Sequence, residues 1–117
     1  MNTVIWKYMD DRLFQTRADS TLEQLYRALG KASEAFGFET DFNSGALTVE
    51  FEDPPGKFVI SPNAPVRQIW VSAHLKSYKL DWDDAKSTFI YPAEGVTLTQ
   101  LIEQALSKQL GETVSLQ

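Results

Sequence analysis

The chain has 117 residues, 43% of them hydrophobic and 12% aromatic, which excludes a disordered chain and suffices for one domain with its own core. It contains no cysteine, which excludes disulfides, thiolate metal sites and a cysteine nucleophile. It contains one histidine, which disfavours a zinc site. The net charge of -5 lies in the first half, because residues 1–56 hold ten acidic and five basic side chains whereas residues 57–117 hold six of each. The negative electrostatic field of the first half repels nucleic acid, so no nucleic-acid partner is expected.

The first nine residues are apolar but lack the features of a targeting segment. They have neither a long apolar run with a small-residue cleavage site nor the Arg- and Ser-rich composition of a transit peptide. No run in the chain approaches the roughly 18 apolar residues of a transmembrane helix, so no membrane partner is expected. We therefore expect residues 1–9 to be an N-terminal extension and residues 10–117 to be a single soluble domain.

A first helix is predicted from about residue 10 to residue 32, ending near residues 35–37. Asp10 and Asp11 favour a helix start through the helix dipole. Asp19 and Glu23 are four residues apart and lie off the apolar stripe, so they form a pair on the exposed side. The apolar stripe at helical spacing consists of Phe14, Ala18, Leu22, Leu25, Leu29 and Ala32.

About six short strands are predicted to follow. The connections between them are short, as at Asn43-Ser44-Gly45, and short connections make neighbouring strands antiparallel. Residues 52–56, which include Pro54 and Pro55, are predicted to be a turn. The predicted strands are residues 38–42, 46–51, 57–61, 67–72, 78–82 and 88–91.

The fourth of these strands poses a question about its outer face. If Ile69 and Val71 point into a core, then Gln68, Trp70 and Ser72 point to the opposite face. A tryptophan between polar residues is unusual for a face that meets only water. We expect either that a partner covers it or that the indole folds down over its own strand neighbours.

A second helix is predicted after Thr97, which forms a capping-box signature with Gln100 and precedes an amphipathic segment that ends near Gly111. Two amphipathic helices and a sheet with one apolar face pack most simply as two layers. The expected fold is therefore α+β, a two-layer sandwich with both helices on one face of an antiparallel sheet. The other sheet face, which carries Gln68 and Trp70, is left open.

Five motifs carry a family resemblance: Ser44-Gly45-Ala46-Leu47-Thr48-Val49, Phe58-Val59-Ile60, Pro65-Val66-Arg67-Gln68-Ile69-Trp70-Val71-Ser72, Leu80-Asp81-Trp82 and Gly111-Glu112-Thr113-Val114-Ser115. The chain resembles the frataxin family in these motifs, and the resemblance extends over roughly residues 11–115. It implies an α-β-sandwich that binds iron, Fe(II) or Fe(III), weakly through surface carboxylates. It also implies docking on the cysteine desulfurase and scaffold protein of iron–sulfur cluster assembly. The ending resembles bacterial members, so a bacterial cytoplasm is expected, with the mitochondrial matrix as the alternative for a mature form.

The resemblance makes four carboxylates candidate iron ligands. They are Asp19 and Glu23 on the first helix and Glu39 and Asp41 on the first strand. Carboxylate oxygens hold iron without cysteine or histidine, although exposed ones bind weakly. The alternative is that they are ordinary solvated side chains. The acidic ridge is also thinner than in many relatives, because the second half of the helix carries Tyr26, Arg27, Gly30 and Lys31.

The resemblance also assigns partner contacts to the open sheet face. Asn63, Gln68 and Trp70 match its motif positions, and Lys79 stands where a basic residue is usual. Arg67 is a further candidate through an ion pair with a partner. An exposed tryptophan beside amide side chains has the composition of an interface hot spot.

Two functions remain open from the sequence. One is a metallo-regulator that binds iron and modulates a cysteine desulfurase; the other is a non-metal interaction module of the same fold, whose acidic surface steers a basic partner. We expect a monomer. We also expect no catalytic site, because Ser72 and His74 lack an oriented third group and there is no Glu-x-x-His pattern. His74 is expected to be exposed. Ferroxidase activity is suggested by the resemblance alone.

Overall fold

The computed structural model describes residues 9–116, so most of the predicted N-terminal extension lies outside the described residues. The first element is helix α1, Asp11–Phe36. The Asp10 carboxylate caps it by accepting a hydrogen bond from the Leu13 backbone N–H at 2.8 Å. Gly37 ends it with a φ of 77°, a left-handed conformation that glycine adopts without a steric penalty. The predicted apolar stripe is buried along its whole length.

One seven-stranded antiparallel sheet follows, in which every strand pairs with its neighbour in the chain. The six predicted strands are confirmed, and a seventh of only two residues pairs with the sixth. The strands are β1 (Glu39–Asn43), β2 (Ala46–Glu52), β3 (Pro55–Asn63), β4 (Gln68–Ala73), β5 (Lys76–Asp83), β6 (Thr88–Tyr91) and β7 (Val96–Thr97).

Helix α2, Leu98–Leu110, begins with the predicted capping box and ends at Gly111. The Thr97 hydroxyl accepts from the Gln100 N–H, and the Gln100 side chain accepts from the Thr97 N–H. The residues after α2 run back along it, because the backbone N–H groups of Val114 and Leu116 donate to the side chains of Ser107 and Glu103 on α2, at 2.9 and 2.7 Å. Val114 and Leu116 are both buried. Neither described helix is long and apolar enough to cross a membrane.

The core lies between the sheet and the two helices, as the α+β sandwich prediction requires. Buried side chains of both helices meet the buried side chains of β2 to β6 in one cluster. Phe14 of α1 meets Phe89 of β6 edge-to-face, with ring centroids 6.0 Å apart. Because the core occupies one side of the sheet, the outward side chains of the central strands face solvent.

Two local predictions were wrong. The segment 52–56 is not a five-residue turn, because β2 continues to Glu52 and β3 already begins at Pro55, which pairs with it. His74 is half-buried rather than exposed. Its ring packs edge-on against Phe58, and its Nε2 lies 3.1 Å from Oε1 of Gln109. The first error concerns the local length of the turn, whereas the second arises from a contact between residues 35 positions apart.

Candidate functional site

The open face of the central strands is built by the alternation in β4. Ile69 and Val71 are buried in the core, so Gln68, Trp70 and Ser72 lie on the opposite face, and the Trp70 side chain is 37% exposed. The exposure predicted for Trp70 is therefore confirmed, whereas its role in binding stays a prediction. We call the outward residues of β3 to β5 the Trp70 face; they are Val59, Ser61, Asn63, Gln68, Trp70, Ser72, Ser77, Lys79 and Asp81.

A chain of contacts within the Trp70 face fixes the indole. The Trp70 Nε1–H donates to Oε1 of Gln68 at 2.9 Å, and the Gln68 amide N–H donates to Oδ1 of Asp81 at 2.9 Å. The Lys79 ammonium lies 4.8 Å from the centroid of the Trp70 ring, within the range of a cation–π contact. The polar edge of the indole is thus satisfied inside the chain, and its orientation is set before any partner arrives. The role of Asp81 was missed because it follows from the pairing of Gln68 with Asp81 across β4 and β5.

A shallow depression of about 200 Å³ lies beside Trp70 on this face. It is lined by Val59, Ser61, Ser72 and Lys79 together with the indole, and no carboxylate lines it. Small hydroxyl side chains and an aliphatic floor allow a partner's backbone or apolar side chain to approach closely. The geometry therefore provides a recessed spot next to a rigid aromatic side chain, the arrangement in which interface anchors are found. Asn63, half-buried, lies directly opposite Gln68 at the end of β3.

Arg67 makes its contacts within the chain. Its guanidinium forms an ion pair with Asp11 at 2.7 Å and donates to the backbone carbonyls of Met9 and Ala64 at 3.1 and 2.6 Å. These contacts join the start of α1 to the loop between β3 and β4. The predicted partner contact of Arg67 is untested, and a partner would have to compete with three existing interactions.

The two candidate iron ligands on α1 are exposed and already engaged. Asp19 accepts a hydrogen bond from the Gln15 amide at 2.7 Å, and Glu23 forms an ion pair with Arg27 at 2.6 Å. Arg27 is one of the residues that thin the acidic ridge. A cation bound here has to displace the guanidinium from Glu23, which lowers its affinity.

The two candidate ligands on β1 lie apart from α1, on the outward face of the sheet edge. Glu39 stands directly opposite Glu50 of β2, and Asp41 stands opposite Thr48. These residues line a shallow depression of about 250 Å³. Their donor set of carboxylate and hydroxyl oxygens suits iron. However, no group of three or more ligand-type side chains among residues 9–116 is arranged to hold a metal ion, so the fold does not preform a metal cage.

A second aromatic cluster, at the junction of α1 and β5, was not predicted. The Trp82 indole N–H donates to Asp84 at 2.7 Å, and the Arg17 guanidinium stacks 4.2 Å from the centroid of a Trp82 ring. Trp82 also packs against Phe89 in the core. These contacts make Trp82 a packing residue that is partly buried against the core.

The fold and this surface define a class of protein: a two-layer α+β sandwich with one sheet face covered by helices and an open face that carries a fixed tryptophan. Residues 7–112 match the family model of the frataxin-like domain. The chain belongs to the frataxin family, as its motifs indicated, and bacterial CyaY proteins are among its relatives.

Three relatives document this membership. The chain is 37% identical over 78 residues to the iron–sulfur cluster assembly protein CyaY of Tolumonas auensis, which covers 67% of this chain and 72% of that protein. It is 28% identical over 108 residues to the protein of the same name from Thioalkalivibrio sulfidiphilus, covering 92% and 100%. The solved structure of the frataxin from Psychromonas ingrahamii, a model for stability modulation within the CyaY family, has a TM-score of 0.73 at 27% identity. It covers 93% of this chain and 99% of that one.

Proposed function

We propose that this protein acts in iron–sulfur cluster assembly, where it docks on the cysteine desulfurase and scaffold complex through the Trp70 face and binds iron weakly through surface carboxylates. Two relatives are named iron–sulfur cluster assembly proteins, which supports the pathway. The single observation that carries the docking proposal is the Trp70 network. An exposed tryptophan is held in one orientation by Gln68 and Lys79 beside a recess free of carboxylates.

The contacts of Trp70 with Gln68 and Lys79 reduce the rotamer entropy that this side chain would lose on binding. A side chain that is already fixed loses little rotamer freedom when a partner covers it. Burial of an indole contributes more contact area than any other side chain, and such anchors dominate interface energetics. Lys79, over the ring of Trp70, adds a positive charge that favours an acidic partner surface at this point.

The test is the affinity of the full chain for a purified cysteine desulfurase–scaffold complex, measured by isothermal titration calorimetry. Trp70→Ala is expected to weaken binding by at least about 1 kcal/mol, or roughly fivefold. Tyr26→Ala is the matched control, because Tyr26 of α1 is 36% exposed and lies in the opposite layer. Equal affinities for the two variants would remove Trp70 from the interface.

Weak iron binding rests on the carboxylates Asp19, Glu23, Glu39 and Asp41, and the structure divides them into two places. Glu39 and Asp41 form no ion pair among the described residues, whereas Glu23 forms one with Arg27. Glu50 stands opposite Glu39 on one side and Lys57 on the other. We propose that iron is held mainly at the β1–β2 edge and only secondarily on α1. Removal of iron then restores repulsion between neighbouring carboxylates.

The second candidate is a non-metal regulatory module of the same fold. The ion pair of Glu23 and the hydrogen bond of Asp19 favour it for α1. The discriminating variant is Asp19→Asn/Glu23→Asn. If desulfurase regulation and thermal stabilisation by Fe(II) are both unchanged in this variant, α1 has no metal role. If both are reduced, the metallo-regulator applies to α1 as well.

A further inference from the structure

The turn between β4 and β5 has an unusual backbone for its residues. Ala73 pairs with Lys76, so His74 and Leu75 form a two-residue hairpin loop, and their φ angles are 52° and 63°. Two positive φ angles are the geometry of a type I′ turn, which strongly prefers asparagine and glycine. Histidine is tolerated in this region more often than most residues, but a bulky leucine is a conformational outlier there.

The same chain contains a conventional version of this turn. Between β1 and β2 the central residues are Ser44 and Gly45, with φ angles of 53° and 80°. Glycine occupies the second position there, where leucine stands in the β4–β5 turn. The strain at Leu75 is therefore not forced by the fold, since glycine at this position would remove it.

Contacts around His74 hold the strained turn in place. Nε2 of His74 lies 3.1 Å from Oε1 of Gln109, and the Gln109 amide donates to the carbonyl of Pro54 at 2.8 Å. Gln109 itself is buried, and the His74 ring packs edge-on against Phe58. Strained backbone persists where its surroundings over-determine it, and such residues cluster at functional sites. The turn is thus anchored at its first residue.

Leu75 is the most exposed large apolar residue among those described, with a relative exposure of 108%, against 50% for Val66 and 40% for Leu13. The turn is held at His74 and carries the fully exposed Leu75 side chain, so Leu75 projects from the surface; we call this projecting side chain the knob.

The nearest basic residues in the chain, Lys76 and Lys79, leave β5 on opposite faces of the hairpin. Lys76 lies 5.0 Å from the centroid of the Tyr78 ring on the core side, and Lys79 lies over the Trp70 ring on the Trp70 face. Each face of the hairpin therefore carries one positive charge within four residues of Leu75.

The knob is continuous with the Trp70 face. The strands that it joins carry Ser72 and Ser77, which line the recess beside Trp70. Ala73 is three residues along β4 from Trp70, so the Cα atoms at the start of the turn and at Trp70 are about 10 Å apart. A standard interface covers about 800 Å² of each partner, or roughly 30 Å across, and one interface can include both features.

We propose that Leu75 is a second anchor of the interface on the Trp70 face, inserted into an apolar pocket of the protein partner that is rimmed by carboxylates. This inference rests on the proposed docking function. Leucine at a position suited to glycine lowers folding stability but adds apolar area for a partner to contact. Lys79 on the Trp70 face and Lys76 at the base of the turn each favour a carboxylate at the rim of the partner's pocket. The interface then has two rigid apolar anchors, the indole and the turn.

The test measures affinity for the same purified cysteine desulfurase–scaffold complex, using the full chain and four variants. Leu75→Ala removes the knob and keeps the backbone strain; we expect it to weaken binding at least about fivefold. Leu75→Met keeps the apolar tip and is expected to bind within about twofold of the unmodified chain. Leu13→Ala, an exposed leucine in the opposite layer, is the matched control, and Trp70→Ala tests the interface itself.

Leu75→Gly adds a readout that a merely structural role would not give. It is expected to weaken binding like Leu75→Ala without lowering the melting temperature, because glycine relieves the left-handed strain. If Leu75→Ala binds the complex as tightly as the unmodified chain while Trp70→Ala binds more weakly, Leu75 is not an anchor, but the proposed docking through the Trp70 face still holds. If the unmodified chain does not bind the complex at all, the docking function fails and the knob fails with it.

Discussion

Replacing Glu39 by glutamine is expected to make the protein more stable without iron and less responsive to iron. Glu39 lies on the edge strand β1 and stands directly opposite Glu50. Opposed side chains in an antiparallel pair have Cβ atoms about 5 Å apart, and two unit charges at that distance in water repel by about 0.8 kcal/mol. Because both carboxylates are exposed and rotate apart, we expect Glu39→Gln to add about 0.5 kcal/mol, or about 2–3 °C in melting temperature.

Iron is expected to reverse the order of the melting temperatures of Glu39→Gln and the unmodified chain. At a free Fe(II) concentration ten times its dissociation constant, binding to the native state stabilises it by about 1.4 kcal/mol. If Glu39→Gln weakens iron binding tenfold, the same concentration stabilises the variant by only about 0.4 kcal/mol. The variant therefore melts above the unmodified chain without iron and below it with iron.

The assay is anaerobic scanning calorimetry of both proteins across a series of Fe(II) concentrations. Glu94→Gln is the control, because Glu94 is an exposed acid in the turn before β7 and its replacement changes the net charge equally. Glu39 is a better position than Glu50, which also stands opposite Lys57 and loses an attraction when it is neutralised. An Fe(II)-induced rise in melting temperature of equal size in Glu39→Gln and the unmodified chain would refute the β1–β2 site.

Three further predictions concern the scaffold of the site. Arg67→Met breaks the ion pair with Asp11 and two charged hydrogen bonds, so it is expected to lower the free energy of unfolding by about 1–2 kcal/mol. Calorimetry should then show a lower melting temperature. An unchanged melting temperature would contradict the role of Arg67 in joining α1 to the β3–β4 loop. Leu116→Ala removes a buried side chain and is expected to lower the free energy of unfolding in urea by about 2–3 kcal/mol. A decrease below about 0.5 kcal/mol would show that the C-terminal residues are not part of the core. Thr97→Ala removes the N-cap of α2 and is expected to cost about 1 kcal/mol in the same assay. Thr99→Ala, two residues further on at an exposed position in the first turn, is the control because Thr99 is not the cap.

The open face was predictable because its cause is local. Strand periodicity makes neighbouring side chains alternate, so burial of Ile69 and Val71 leaves Trp70 only the outer face. The helix boundaries were predictable for the same reason, since Gly37 and Gly111 end them with left-handed backbone. The two-residue strand β7 was missed because two residues show no alternation.

Contacts between distant segments left no signal in the sequence. The hydrogen bond from Arg67 to the Met9 carbonyl joins residues 58 positions apart, and the one between His74 and Gln109 spans 35. Neither pairing follows from a motif or a periodicity. The left-handed backbone of Leu75 was equally hidden, because leucine does not signal such a turn whereas Gly45 does.

The central claim is that the Trp70 face docks on the cysteine desulfurase complex, and a two-dimensional NMR titration of the labelled chain with unlabelled desulfurase tests it most directly. The Trp70 indole N–H gives its own resonance, separate from the backbone. We expect this resonance and the amides of β3, β4 and β5 to shift or broaden first, while the amides of α1 and α2 stay unchanged. Changes confined to the helices, or an unperturbed Trp70 indole at saturation, would contradict the account.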